Sequence, residues 1–255
     1  MKRLPLLLFA LFLGACAARD PIAPPADAPE PDRYLFEQGQ ANLKEEKWLT
    51  AREYFRRLVD GYPQSQYRAE AKLGIGDTYL GEDTPEAQVY AINEFREFLS
   101  FFPTHARADY AQYRLGMAYY QQMLAPQRDQ TSTKDAIREF ELFLERFPAS
   151  NLTPDVQTKL RESRDRLGRA EYEVGLHYYR MQWYPGAMDR FMALLKRDPD
   201  FTFRDAVYFH LGEILMSEQV NRPAEALPYY ERLVKEFESS EYLERAKERI
   251  AQIKK

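Results

Sequence analysis

Cysteine is almost absent from this 255-residue chain, whose only one is Cys16. No internal disulfide can form, and no thiol nucleophile exists beyond residue 16, so stability has to come from packing. Histidine is scarce too: His105, His177 and His210 lie far apart, and none has the spacing of a metal-binding H-E-x-x-H helix. There is no G-x-S-x-G turn. Gly74-Ile75-Gly76 has the outline of a nucleotide loop, but no strand precedes it and Gly76 serves the repeat described below. Long basic blocks are missing as well: 36 Lys and Arg mix with 40 Asp and Glu for a formal charge of −4, which excludes a nucleic-acid footprint. These absences point away from an enzyme and call for no cofactor or metal.

No apolar run is long enough to span a bilayer. Leu4 to Leu13 covers ten residues, where about 20 are needed. It follows Lys2-Arg3 and precedes small residues, the pattern of an export signal over residues 1–15. The run closes in Leu13-Gly14-Ala15-Cys16. One reading is an ordinary secretory peptide with an incidental cysteine. The other is favoured: the segment resembles the lipobox of bacterial lipoproteins, which implies that Cys16 is acylated and becomes the new N-terminus, and two acyl chains already anchor a protein stably. Ala17 and Ala18 follow, with no Asp at the second position, which by the same resemblance implies the outer membrane, facing the periplasm. Residues 17–32 carry five prolines and one bulky aliphatic residue, Ile22. They read as a tether reaching up to roughly 50 Å.

What the chain does have is a ruler. Gly175, Tyr178, Ala187, Phe191 and Pro199 carry the small-residue and aromatic spacing of one tetratricopeptide repeat, an antiparallel helix pair closed by proline. Gly175 and Ala187 let two helices approach while Tyr178 and Phe191 fill the seam. Ala51-Phe55-Pro63, Ala91-Phe95-Pro103 and Ala136-Phe140-Pro148 repeat the second-helix part, and Ala226-Tyr230 repeats it without the proline. Glycines precede them at Gly39, Gly76, Gly116 and Gly212, with Tyr79 and Tyr119 after two of these. The expected fold is all-α: five tetratricopeptide-like helix pairs in a superhelical solenoid. The repeats divide into 33–150 and 151–255.

One spacing departs from the rest. Pro63 to Gly76, Pro103 to Gly116 and Pro199 to Gly212 are each 13 residues, but Pro148 to Gly175 is 27. The excess, 27 − 13 = 14 residues, is close to four helical turns, or about 21 Å without rotating the apolar face. With Thr153-Pro154 as a helix start, the spacing predicts one lengthened helix over about 154–182, between repeats three and four. A polar loop, 125–133, interrupts the third repeat.

Phe102-Pro103-Thr104-His105, then Asp109-Tyr110, Tyr113 and Gly116, resemble the P-T-H-x-x-x-D-Y-x-x-Y-x-x-G signature of the BamD family, lipoproteins of the outer-membrane β-barrel assembly machine. Asp165-Arg166-Leu167, then Glu171-Tyr172, are similar to that family's fourth-repeat entry, D-R-L-x-x-x-E-Y. The resemblance implies a non-enzymatic scaffold that binds the barrel-forming subunit BamA through its C-terminal repeats and accepts unfolded outer-membrane proteins on its N-terminal ones. It also implies that Arg190, in the run Ala187-Met188-Asp189-Arg190-Phe191, contacts BamA. The plainer alternative for Arg190 is a surface arginine paired with Asp189 or Glu173. The alternative for the whole chain is a periplasmic repeat lipoprotein that organises cell-wall or division proteins.

Overall fold

The computed structural model describes residues 22–255. The expected export signal of residues 1–15 and Cys16, the expected site of acylation, lie outside the described residues. Among the described residues there are eleven α-helices and no strand. They form five antiparallel pairs: α1 (Pro31–Lys44) with α2 (Trp48–Gly61), α3 (Arg68–Glu82) with α4 (Pro85–Phe101), α5 (Ala108–Gln121) with α6 (Thr131–Arg146), α7 (Thr153–Arg180) with α8 (Tyr184–Arg197), and α9 (Arg204–Met216) with α10 (Pro223–Glu236). A last helix, α11 (Leu243–Ile253), packs on α10. Each helix touches mainly its neighbours in sequence, as in a solenoid.

The ruler read from the sequence is the packing rule of the array. Phe191 is fully buried, and a Cβ on Gly175 would stand 2.5 Å from its Cε1. Only glycine lets α7 come this close to α8. The same approach of glycine to ring joins Gly39 to Phe55, Gly76 to Phe95, Gly116 to Phe140 and Gly212 to Tyr230. Gly175→Leu is therefore expected to cost about 1–3 kcal/mol by overpacking. Gly175 lies well inside α7 and does not start a helix, so a thermal melt unchanged by that substitution would mean that α7 and α8 can part to admit the side chain at no cost.

The aromatic three residues after the glycine behaves differently from pair to pair. Tyr79 and Tyr119 are buried, and their hydroxyls accept from Arg56 and Arg96 of the helix before. Tyr178 is only half-buried, with its ring edge-on to Trp183 at 4.7 Å. Tyr172, 5.6 Å from Phe191, joins Tyr178 in packing on the core of the fourth pair.

The turns within pairs share one backbone device. Glu46, Asp83, Gln182 and Asn221 have positive φ, each two residues before the second helix of its pair begins. A single left-handed residue reverses the chain there. The third pair has the polar segment 125–133 in place of such a turn, except that its last three residues, 131–133, already belong to α6.

Helix α7 is the 28-residue helix that the 14-residue excess predicts. It serves two cores. Val156 and Leu160 in its first half close the core of the first three pairs, while Tyr172, Tyr178 and Tyr179 in its second half pack on a core built from α8 and α9.

The C-terminal end holds an aromatic cluster around His210. The rings of Tyr172, Tyr179, Phe191, Phe209 and Tyr242 surround its imidazole at centroid distances of 5.0–6.1 Å, and Nδ1 hydrogen-bonds the Ala206 carbonyl at 2.7 Å. Burial pushes its pKa down from the ordinary value, outweighing the hydrogen bond to Ala206. The unfolded chain takes up this proton near pH 6.5, whereas the folded chain resists it to lower pH. The C-terminal repeats should thus be fully stable above that pH and lose stability as it falls. Urea unfolding at pH 7.5 and 5 should show a steeper loss for the wild type than for His210→Gln; equal slopes would exclude His210 as the source.

Candidate partner-binding site

The first signature segment is spent on holding repeats together. Pro103, Thr104 and His105 form the turn between α4 and α5, where the His105 ring stands edge-on to Phe98 at 5.5 Å. Asp109 Oδ2 accepts from Ser150 Oγ at 2.6 Å, tying the start of α5 to the turn that ends α6. Tyr110 reaches back, its hydroxyl donating to Asp77 Oδ2 of α3 at 2.9 Å, while Arg114 Nε lies 2.7 Å from Oδ1 of the same carboxylate. Tyr113 reaches forward to Asp155 of α7, and burial together with that carboxylate pushes its pKa up to about 12. Gly116 is the close-approach glycine against Phe140.

The Asp109–Ser150 bond is one of a set. Ser65 donates to Asp32 at 2.7 Å and Ser240 to Asp205 at 2.6 Å. Each aspartate lies seven residues before the repeat glycine. In the second pair the two places are taken by Ala69 and His105, and in the fourth by Gly168 and Phe201, whose ring closes on the glycine. His105 thus stands where other repeats carry a polar staple. Sequence reasoning missed these staples, although the recurrence of Asp at that offset was there to be read.

The second signature segment assembles a surface. Asp165 holds the turn after α8, accepting from Thr202 N and Oγ1 at 2.9 and 2.6 Å. Arg166 Nη1 donates to the Leu124 carbonyl at 2.9 Å and so pins the entry of the 125–133 loop. Glu171 Oε2 lies 3.5 Å from Arg190 Nη1, and its other oxygen lies 3.6 Å from Arg197 Nη1. Arg190 therefore pairs with Glu171, not with Asp189 or Glu173. None of these partners is a sequence neighbour of the other.

Between α7 and the 125–133 loop runs an open groove of about 750 Å³. Leu167, Val174 and Tyr178 are among its apolar lining residues. Arg128, Lys134, Arg180 and Arg190 face it against two carboxylates, Glu171 and Glu173, with His177 beside them. The excess positive charge suits an acidic partner surface. Arg190 is 47% exposed, so its long pair with Glu171 is worth about 0–1 kcal/mol. Arg190 can exchange carboxylates without stranding Glu171, because Arg197 stays on it.

The family model for YfiO, described as an outer membrane lipoprotein, matches residues 29–222. The chain belongs to this family. Among YfiO-related proteins, the outer membrane protein assembly factor BamD of Caulobacter vibrioides is 25% identical over 219 residues, 86% of this chain and 70% of that one. The protein of the same name from Vibrio cholerae is 26% identical over 207 residues, 76% of this chain and 82% of that one. Among solved structures, the TPR2AB domain of yeast Sti1 in complex with pHSP90 aligns with a TM-score of 0.45 at 13% identity, over 88% of this chain and 98% of that one. The YfiO match takes in both signature segments and Arg190. It ends before α10 and α11, which pack onto α9 and onto α10 respectively.

Proposed function

We propose that this protein is a non-enzymatic scaffold lipoprotein of the outer-membrane β-barrel assembly complex, anchored at Cys16 and facing the periplasm. Its C-terminal repeats bind BamA at the groove beside Arg190, and its N-terminal repeats help receive unfolded outer-membrane proteins. Membership in the outer membrane lipoprotein family, with relatives named as BamD, supports the assembly role. The observation that favours the groove is Arg190 held by one weak, exchangeable pair in a lining that also offers Leu167, Val174 and Tyr178. An interfacial arginine grips a carboxylate through two parallel hydrogen bonds, a stronger arrangement than its long contact with Glu171.

Copurification from detergent-solubilised membranes tests the reading. BamA as the main partner is the expected result; cell-wall synthases without BamA would favour the organiser of envelope enzymes instead. Anchoring has its own test. Cys16→Ala should leave the protein unprocessed or soluble, and a variant still cleaved before residue 16 and still membrane-bound would show that no lipid on Cys16 holds it.

A further inference from the structure

The second half of the tether is seated on the first repeat. Ile22 packs against the N-terminal core, and Ala23, Pro24 and Pro25 are half-buried. Ala28 N donates to the Pro25 carbonyl at 3.0 Å, turning the chain into the start of α1. Beside Ile22 lies a cleft of about 310 Å³ lined by Glu53, Arg56, Arg57 and Asp60 of α2. A proline-rich strand gives up little conformational freedom on docking, so a modest apolar contact holds it.

We infer that this seat shortens the membrane leash and makes the face of α2 around Ile22 the surface that lies against the phospholipid bilayer. The inference rests on acylation of Cys16. Five residues, 17–21, separate Cys16 from Ile22, and six peptide steps reach at most about 22 Å. Were the segment free up to Pro31, the same anchor would let the fold stand off by about 50 Å. Docking at Ile22 therefore more than halves the reach. It also fixes which side of the repeat array faces lipid, because the leash leaves the fold at one point on α2 rather than at the start of α1. The far end of the solenoid, with the groove at Arg190, is left to partners in the periplasm.

The test uses the full acylated chain in vesicles of phosphatidylethanolamine and phosphatidylglycerol that carry a headgroup acceptor dye. A donor is placed on Asp60→Cys, in the cleft wall. Strong energy transfer is expected, falling severalfold in Ile22→Asp and again in a variant with a Gly-Ser insertion of roughly twelve residues between Pro21 and Ile22. An unchanged melting temperature shows that both variants remain folded. Weak transfer in the parent, or transfer that Ile22→Asp leaves unmoved, overturns the seat as the determinant of height. Mass spectrometry of the N-terminal peptide separates the two failures: a Cys16 without acyl chains overturns anchoring and leash together, whereas acylated protein with unmoved transfer overturns the leash alone.

Discussion

Phe55→Ala is expected to lower the free energy of unfolding by about 3–5 kcal/mol. The ring is fully buried and flanked by glycines on both sides: a Cβ on Gly39 would stand 2.5 Å from Cε1, and one on Gly74 would stand 2.5 Å from Cε2. Two backbones, from α1 and α3, thus close on the ring edges. Glycines have no side chains that could swing into the space left behind, so the cavity persists unless whole helices shift. Leu49→Ala on the same helix is the control, since Leu49 is 70% exposed and a surface change of this kind stays within about 0.5 kcal/mol. Urea unfolding measures both. Because repeats are coupled only to neighbours, hydrogen exchange in Phe55→Ala should rise first in α1 to α3 and leave α9 to α11 protected. A loss under about 1 kcal/mol would mean that the helices collapse onto the gap.

Arg190→Glu is expected to weaken binding to the periplasmic part of BamA by about 2–5 kcal/mol, roughly 30-fold or more, while helix content and melting temperature stay nearly unchanged. The fold should tolerate it because the side chain is half-exposed and its pair with Glu171 is long. The new like-charge contact with Glu171 is softened by Arg197, which remains on that carboxylate. Arg164→Glu separates site from net charge. Arg164 is similarly exposed, at 43%, and pairs with Glu141 across α6 and α7, outside the groove. Equal weakening by both reversals would assign the effect to overall charge, and unaltered affinity in Arg190→Glu would remove Arg190 from the interface.

The array itself was legible in one dimension. Gly175, Ala187, Phe191 and Pro199 mark close approach, ring and helix end by residue type alone, and the same marks recur in the other pairs. The 14 extra residues before Gly175 translate into the 28-residue α7 because an α-helix has a fixed period: four added turns lengthen it without turning its face. Backbone geometry and side-chain bulk are local quantities, so spacing was enough to set the helix pairs and their register.

The groove was decided only in three dimensions. Arg128 and Arg190 are far apart in sequence, yet they line one surface because Arg166 pins the Leu124 carbonyl while Glu171 receives Arg190. Nothing in the run Ala187 to Phe191 names Glu171 as the partner, and Asp189 was nearer along the chain. Likewise nothing in the proline-rich segment announced that Ile22 would settle on α2. Such contacts depend on the twist and rise that each repeat adds to the next, and these accumulate from every interface between them. Residue spacing fixes a helix pair, whereas the meeting of residues many turns apart follows from the summed packing of all the pairs between.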